Sequence, residues 1–296
     1  MPEGDTVLRT ARRLHQALAG RELLAADLRW PGLSEASLAG RTVTDVVARG
    51  KHLLLRLDAG WTLHSHLRME GQWRIEATPA AGRTVVGAAR RFRVREQDLR
   101  VVLVTEPWTA LGLRLGMLDL VPTTSESSLV GHLGPDLLAD DFAATLAAAN
   151  LAAGVGPVGA ALLDQRNLAG LGTMWASETL FAEGVNPGLP VAGLDVPALA
   201  RLVDRARRLL ASGVRHAVPS STGSRRADST TWVHGRLGRP CRRCGTVIRV
   251  ATVGPPTQER LLSYCPGCQG GLAPGDNGGP VAPLGSAHGR GGYRRS

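Results

Sequence analysis

The sequence contains almost no lysine and no long apolar run. Arginine supplies 34 of its 35 basic residues, and Lys51 is the single lysine. No segment approaches the roughly 18 consecutive apolar residues of a membrane-spanning helix. The N-terminus also lacks the basic region and following apolar run of a secretory signal. These absences predict a cytoplasmic protein without a membrane span.

Acidic residues are too few to balance the basic ones. The chain has 25 acidic and 35 basic residues, a formal charge of +10 and a pI of about 10.9. Such an excess indicates a polyanionic partner, although a basic protein without one has the same net charge. Twelve arginines fall between Arg201 and Arg249. This clustering favours nucleic acid as the partner and predicts association with the nucleoid.

The four cysteines occur only as two matched pairs. Cys241 and Cys244 are followed, after twenty residues, by Cys265 and Cys268. In a cytosolic chain this spacing is typical of zinc held by four thiolates, and disulfides are disfavoured in that compartment. Four thiolates leave no open position for a water molecule. The pattern therefore predicts one structural Zn²⁺ on a β-hairpin, a zinc ribbon.

The isolated lysine suggests a specific role. Arginine is always charged, whereas the lysine ammonium can be tuned and can give up a proton. In a chain that otherwise uses arginine, Lys51 is a candidate for chemistry that arginine cannot perform. Its chance survival in an arginine-rich composition is the alternative.

The first three residues, Met1-Pro2-Glu3, carry a second chemical signal. Chain termini are usually frayed and inactive, but removal of Met1 would leave Pro2 with a free secondary amine. An α-amino group has a pKa of about 8, so part of it is unprotonated at neutral pH. Attack of a secondary amine on an aldehyde-level carbon gives a cationic iminium suited to covalent catalysis. Glu3 is then placed for general acid/base work.

Hydrophobic periodicity predicts an N-terminal helix followed by a β-sandwich. Residues 1–20 have helical spacing, with Asp5 or Thr6 as the cap. Residues 22–121 consist of short alternating runs separated by turn residues, which is typical of a sandwich or barrel. The predicted strands are Thr42–Ala48, Leu53–Leu57, Trp61–His66, Gly71–Ile75, Phe92–Val94 and Leu99–Val104.

The second half predicts helices and then a metal-bound hairpin. A helix at 157–165, a glycine-bearing loop and a helix at Thr173–Ala182 form a helical hairpin of the DNA-binding type, although an ordinary hairpin has the same spacing. Residues 195–212 predict another helix, and 213–231 a mobile basic loop. Strands at Thr246–Thr252 and Leu261–Tyr264 form the zinc ribbon. The predicted domains are 1–122, 130–230, 232–270 and a disordered Gly/Pro-rich tail, 271–296.

Several motifs occur in one order along residues 1–270. They are Met1–Asp5, Arg49–Leu54, Ser65–Gly71, Leu162–Gln165, Gly170–Gly172 with Ala176–Glu178, and Cys241–Cys268. Together they resemble the formamidopyrimidine-DNA glycosylase / endonuclease VIII family of base-excision repair enzymes. The Met-Pro-Glu-Gly-Asp-Thr start is most similar to actinobacterial members of the endonuclease VIII branch. The implied fold is α+β: a helix plus β-sandwich, then a helix-two-turn-helix domain with a four-cysteine zinc ribbon.

The resemblance implies a bifunctional DNA glycosylase/AP lyase. Pro2 would form the Schiff base at C1′ of a flipped nucleotide, and Glu3 would be the general acid/base. Lys51 would contact the phosphate and donate a proton during β-elimination. Arg260 would contact the lesion phosphate and serve δ-elimination. Beyond one Zn²⁺ no cofactor is needed.

Further DNA contacts follow from the same resemblance, with departures. His66 would touch the DNA backbone, and Met69 would fill the gap left by the extruded base. The family usually has a phosphate-binding Asn where this chain has Thr173, and Asn167 could compensate. Thr6 stands where many relatives have Glu, which puts an auxiliary carboxylate role in doubt.

The formamidopyrimidine branch inserts an Arg-Phe pair opposite the lesion. That pair has no match in this chain, and Arg91-Phe92 is only the most similar dipeptide. The absence of the pair favours oxidised pyrimidines as the expected substrate.

We expect a monomer that binds damaged DNA. The alternatives are a non-catalytic damaged-DNA-binding protein and a purely structural zinc-ribbon scaffold. Pro2, Glu3 and Lys51 favour the enzyme.

Overall fold

The computed structural model describes residues 2–79, 84–216, 218–226 and 228–281. The chain divides into two compact units, Met1–Leu133 and Gly134–Ser296. Within the described residues, no helix combines the length and apolarity needed to cross a membrane.

The first unit contains one long helix and two antiparallel sheets. Its elements in chain order are α1 (Gly4–Leu18), β1 (Arg21–Glu22), β2 (Ala25–Leu28), β3 (Thr42–Arg49), β4 (His52–Leu57), β5 (Trp61–His66), β6 (Gln72–Ala77), α2 (Ala88–Arg91), β7 (Leu99–Val104), β8 (Trp108–Leu113), β9 (Met117–Pro122) and α3 (Ser127–Val130). Among the described residues, one sheet has the order β1-β3-β4-β5-β9 and the other β2-β7-β8-β6.

The two sheets bury a shared core, as the predicted sandwich requires. Leu53 and Leu63 of the first sheet belong to the same buried cluster as Val101 and Leu103 of the second. Successive strand residues point to opposite faces, so alternate residues of β4 and β5 leave the core. The sandwich prediction is confirmed, and the outward face of the first sheet becomes available for polar groups.

Helix α1 forms because apolar residues recur along one face. Val7, Ala11 and Leu14 are buried in the sandwich core. The backbone carbonyl of Glu3 accepts the Val7 N–H at 3.0 Å, and Glu3 is the N-cap residue in extended conformation. The prediction that Asp5 or Thr6 caps the helix is therefore wrong, since that helix begins at Gly4.

The predicted strand Phe92–Val94 is also wrong. Phe92 follows the short helix α2, and its side chain is buried in a second cluster, on the outer face of the four-stranded sheet, with Val102 and Leu111. Its apolarity reflects this packing and not a strand. The Phe92 ring is therefore held inside the protein, while the absence of a match for the Arg-Phe pair stays a prediction.

Helices and the cysteine-bearing hairpin build the second unit. Its elements are α4 (Ala144–Ala152), α5 (Val158–Leu163), α6 (Thr173–Ala182), α7 (Val196–Val214), β10 (Arg249–Val253) and β11 (Arg260–Tyr264). One core cluster contains Trp175 of α6, Leu202 of α7, and Leu262 and Tyr264 of β11. The helical segment and the hairpin are thus held by the same apolar core. The four-part domain division stays a prediction.

Two segments expected to be mobile or disordered make specific contacts where the structure describes them. Ser221 N–H donates to the Thr230 carbonyl at 2.9 Å, which closes the loop after α7. In the tail, Asp276 forms an ion pair with Arg249 and accepts a bond of 2.6 Å from the Tyr264 hydroxyl. Helix α7 extends to Val214, so the predicted loop begins after residue 213; the mobility of that loop and the disorder of the tail stay predictions. Residues 282–296 lie outside the described residues.

Candidate active site and nucleic-acid interface

The N-terminal candidates lie at the start of an ordered helix. Pro2 is half-buried, and Glu3 is 3% exposed. Their position places both residues at the N-terminus of a 15-residue helix, where the aligned backbone dipoles favour negative charge. The structure thus anchors the two residues that the sequence assigns to nucleophilic and acid/base roles.

Lys51 lies in the tight turn between β3 and β4. Arg49 pairs with His52, which leaves Gly50 and Lys51 as a two-residue loop. Gly50 has a φ of 59°, a conformation that glycine adopts without the steric cost of a Cβ. The two-residue loop of this hairpin therefore fixes the position of the only lysine at the end of the sheet.

His66 ends β5 and belongs to a group of histidines beside this turn. His52 pairs with His66 across the strands, and their rings meet edge-on with centroids 4.9 Å apart. His64 is 1% exposed and bonds both His52 and Asp119 at 2.8 Å. Burial lowers the pKa of His52 to about 3 and that of His66 to about 4, and nearby charged groups contribute to both shifts to a smaller extent. His66 is therefore a neutral hydrogen-bonding group at pH 7.

Met69 is presented on a tight turn after β5. The Gly71 N–H donates to the Leu67 carbonyl at 2.9 Å and closes the turn. A Cβ at Gly71 would lie 2.4 Å from that same oxygen, so only glycine fits. Met69 at the tip is 66% exposed. The exposed tip is compatible with the role that the resemblance implies for Met69, which stays a prediction.

The loop between α5 and α6 is organised by Gln165. Its amide nitrogen donates to the carbonyls of Leu163 and Leu171 at 2.9 and 3.0 Å, and its amide oxygen accepts the Gly170 N–H at 3.1 Å. One side chain thus spans the loop that leads to the N-terminus of α6. The sequence quoted Gln165 in a motif but assigned it no function.

The two predicted phosphate contacts occupy different parts of that hairpin. Thr173 is the first residue of α6, half-buried, after the N-cap residue Gly172. Asn167 donates its side-chain amide to the Ala161 carbonyl at 2.9 Å. That bond gives Asn167 a role in holding the hairpin together. Its compensation for the missing asparagine stays a prediction.

Glu178 is a buried carboxylate that the sequence analysis quoted in a motif but to which it assigned no role. It is 1% exposed and accepts the backbone N–H groups of Trp232, Val233 and His234 at 2.9, 2.9 and 2.8 Å, together with the Ser221 hydroxyl. Buried charges are tolerated when hydrogen bonds replace their hydration. The available signal was a glutamate inside the otherwise apolar run of α6.

We predict that Glu178→Gln loosens this connection. The amide replaces an acceptor oxygen with a donor, and an unsatisfied buried N–H costs roughly 1–3 kcal/mol. The free energy of local opening at residues 232–234 should fall by about 3 kcal/mol, measured by amide hydrogen exchange. Glu259→Gln, the same change at an exposed position, is the control. Equal protection in both variants would contradict the assignment.

The four predicted metal ligands converge at one point. Their Sγ atoms all lie within 4.8 Å of one another, and the cysteines are free. The Sγ–Sγ distance is 4.0 Å for Cys241 and Cys268, 3.4 Å for Cys244 and Cys265, and 3.5 Å for Cys244 and Cys268. Zn–S bonds of about 2.3 Å in a tetrahedron place sulfurs about 3.8 Å apart. The residues fit a four-thiolate metal ion.

Aromatic side chains join this cluster to α6. Arg243, between the first two cysteines, lies with its guanidinium carbon 4.4 Å from the centroid of the Phe181 ring, which stacks on Trp232. Phe181 also shares a buried cluster with Cys241 and Cys265. Arg243 is exposed and packs over an aromatic ring as a cation–π contact.

Arg260 lies at the far end of the hairpin. It begins β11, pairs with Val253 and is exposed. Its guanidinium donates to the carbonyls of Gln258 and Glu259 at 3.3 and 3.1 Å. These local bonds hold the side chain on the loop at the hairpin tip, where an anionic ligand could replace the two neutral acceptors.

Comparison with known proteins identifies two matching domain models. Residues 1–104 match the formamidopyrimidine-DNA glycosylase N-terminal domain, and residues 133–224 match the formamidopyrimidine-DNA glycosylase H2TH domain. The two matches together cover more than half of the chain.

Similar proteins extend the match over nearly the whole chain. Probable endonuclease 8 2 of Streptomyces coelicolor is 48% identical over 279 residues, covering 94% of this chain and 97% of that protein. DNA-(apurinic or apyrimidinic site) lyase Nei2 of Mycolicibacterium smegmatis is 41% identical, covering 91% and 99%. The Lactococcus lactis formamidopyrimidine-DNA glycosylase bound to DNA containing an AP site superposes with a TM-score of 0.74 at 24% identity, covering 90% and 99%. This structural likeness confirms the predicted fold.

Proposed function

The chain belongs to the formamidopyrimidine-DNA glycosylase family, and from that premise we propose that it is a bifunctional DNA glycosylase/AP lyase of base-excision repair. Two relatives bear names that state an endonuclease or an AP-site lyase activity. The observation that carries the proposal is the position of Pro2 and Glu3. Pro2 is half-buried at the head of a helix, beside the buried carboxylate of Glu3. A chain end with no function would be expected to fray.

The proposed chemistry starts at the amine of Pro2 once Met1 has been removed. Its nitrogen attacks C1′ of the damaged nucleotide, the bond to the base breaks, and the base leaves with the electron pair. Glu3 transfers protons during base loss and opening of the sugar ring. The resulting iminium acidifies the C2′ hydrogen, so that β-elimination breaks the bond to the 3′ phosphate. A second elimination breaks the bond to the 5′ phosphate, and water then hydrolyses the bond between Pro2 and C1′, which releases the sugar fragment and leaves a one-nucleotide gap.

Two cations assist these eliminations in the proposal. Lys51, fixed in its hairpin turn, contacts the phosphate and donates a proton during β-elimination. Arg260, exposed at the tip of the cysteine-bearing hairpin, contacts the lesion phosphate and serves δ-elimination. Both assignments rest on the matching motif positions and on the chemistry of the two side chains.

The remaining proposed contacts hold the DNA. His66 and Thr173 donate to phosphates, Met69 enters the space of the extruded base, and Asn167 supports the phosphate-binding hairpin. The four cysteines would hold one structural Zn²⁺, which stabilises the hairpin and leaves no coordination position for a reactant. Damaged DNA is the partner, with oxidised pyrimidines as the preferred lesions. A monomer at the nucleoid is the expected form of the protein.

Lys51→Arg should separate DNA binding from elimination. Arginine retains the positive charge but cannot give up a proton. We expect binding to abasic DNA to change little, while the single-turnover rate of β-elimination falls about a hundredfold, a typical contribution of proton transfer. The exposed Arg12 on α1 supplies the control, Arg12→Lys. Unchanged elimination in Lys51→Arg would remove Lys51 from the mechanism.

Borohydride trapping tests the proposed function as a whole. The protein is incubated with duplex DNA that carries one abasic site, reduced, digested and mapped by mass spectrometry. An adduct on Pro2 is the expected result. If Met1 is removed and DNA is bound but no adduct forms, the protein is a non-catalytic damaged-DNA-binding protein.

A further inference from the structure

A line of hydrogen-bonded polar groups crosses the outward face of the first sheet. His64 pairs with Asp119 across β5 and β9, and His52 pairs with His66 across β4 and β5. Side chains two residues apart on a strand share a face, so His64 and His66 point the same way. The Nδ1 atom of His64 lies 2.8 Å from Asp119 Oδ2, and its Nε2 lies 2.8 Å from His52 Nδ1.

The order of donors along this line follows from the carboxylate. An ionised carboxylate only accepts hydrogen bonds, so the proton of neutral His64 lies on Nδ1. Its Nε2 is then an acceptor, which takes the Nδ1–H of His52. The Nε2 of His52 is left with a lone pair. Asp119 thus determines the tautomers of two successive rings.

His66 is constrained from the other side. Its Nδ1 accepts the backbone N–H of Arg68 at 2.9 Å. The neutral ring therefore carries its proton on Nε2. The rings of His52 and His66 lie edge-on, with an interplanar angle of 77°. The ring of His52 thereby limits how far the ring of His66 can rotate.

A metal site does not explain this group. Both nitrogens of His64 are already used within the line. Among the described residues, the four cysteines are the cluster with ligand atoms close enough to share an ion. Burial lowers the pKa of His64 as well as those of His52 and His66, which agrees with neutral rings bonded to one another.

We propose that Asp119, His64 and His52 are positioning residues for His66: they fix its ring so that its Nε2–H points at a DNA phosphate. The role of His66 rests on the proposed function. A donor with a fixed direction binds without losing rotational freedom at the moment of contact. The line ends beside the turn that carries Lys51. The same strands therefore determine the positions of His66 and Lys51, the two groups proposed to contact phosphate.

Asp119→Asn tests the proposal because it keeps the shape of the side chain and removes its charge. Nitrogen-15 NMR of the histidine rings, assigned with His→Gln variants, reports which nitrogen carries each proton. The expected wild-type pattern is Nδ1–H for His64 and His52 and Nε2–H for His66. In Asp119→Asn the Nδ1–H forms should lose population to the Nε2–H forms, because the amide can donate to His64 Nδ1 as well as accept from it. Asp119→Glu, which restores a carboxylate, should recover them in part.

The kinetic part uses duplex DNA with one abasic site. We expect Asp119→Asn to raise KM about tenfold, as the loss of one charge-assisted hydrogen bond would, with kcat changed less than twofold. Asp98→Asn, at a surface ion pair with Arg95, is the control. Nε2–H tautomers at His52 and His64 in the wild type, or an unchanged KM in Asp119→Asn, would overturn the proposal. A wild-type protein without lyase activity would refute the proposed function instead. The tautomers measured by NMR would then still show whether Asp119, His64 and His52 are bonded in the proposed order.

Discussion

Replacing Pro2 with glycine should lower the rate of base excision about a hundredfold and reduce Schiff-base trapping on abasic DNA. Glycine keeps an N-terminal amine but makes it primary, so the adduct can lose its N–H proton and its charge. Glycine also frees the backbone at a position where proline fixes φ. A small misplacement of a reacting group can cost about a hundredfold in rate. The measurement is single-turnover excision of an oxidised pyrimidine, with intact-mass confirmation that Met1 is removed.

The neighbouring Thr6 provides the control for this experiment. Thr6→Ala changes the first turn of α1, next to the proposed nucleophile, without altering Pro2 itself. It should retain excision and trapping. Full glycosylase activity in Pro2→Gly, with comparable DNA binding, would exclude Pro2 as the nucleophile.

The local spacing of apolar residues was sufficient to predict many of the helices and strands. Strands Trp61–His66 and Leu99–Val104 and the helix Thr173–Ala182 have the predicted bounds, because alternation or helical spacing coincides there with burial. The cysteine spacing likewise predicted the convergence of four thiols. Features confined to a few neighbouring residues are therefore readable from the chain.

The unpredicted features depend on contacts between distant residues. Asp119 and His64 are 55 positions apart and meet only through the β5–β9 register. Glu178 binds amides that lie 54 to 56 residues away. Neither pair has a sequence pattern of its own, since any register shift would separate its members. Phe92 was mistaken for a strand residue because burial against a sheet and membership of a sheet favour the same side chains.

The tail makes a contact with the cysteine-bearing hairpin that its composition does not predict. Residues after Gln269 are rich in Gly and Pro, which predicts disorder. The carboxylate of Asp276 nevertheless binds Arg249 of β10 and the Tyr264 hydroxyl of β11. The bond from Arg249 holds the pKa of that carboxyl well below its usual range. This contact ties the tail to the hairpin that carries the cysteines.

Removal of the metal should have the second large effect, because the cysteine cluster is continuous with the core of its unit. Cys241 and Cys265 share a buried cluster with Phe181 of α6, and Leu262 and Tyr264 of the hairpin lie in the main helical core. Structural zinc contributes about 10–16 kcal/mol in isolated zinc-finger peptides. Without it we expect residues 241–268 to unfold and the affinity for abasic DNA to fall.

A chelator titration followed by metal analysis and circular dichroism measures this loss, and Cys244→Ser provides a variant with one ligand removed. DNA affinity is measured on the same samples. In the proposed function the hairpin presents Arg260 to a DNA phosphate, so binding should weaken in parallel with metal release and return when Zn²⁺ is added back. An affinity that is unchanged after verified loss of the metal would contradict a DNA-binding role for the hairpin. An unfolded hairpin with unchanged affinity would leave DNA binding to the first unit and the helical hairpin.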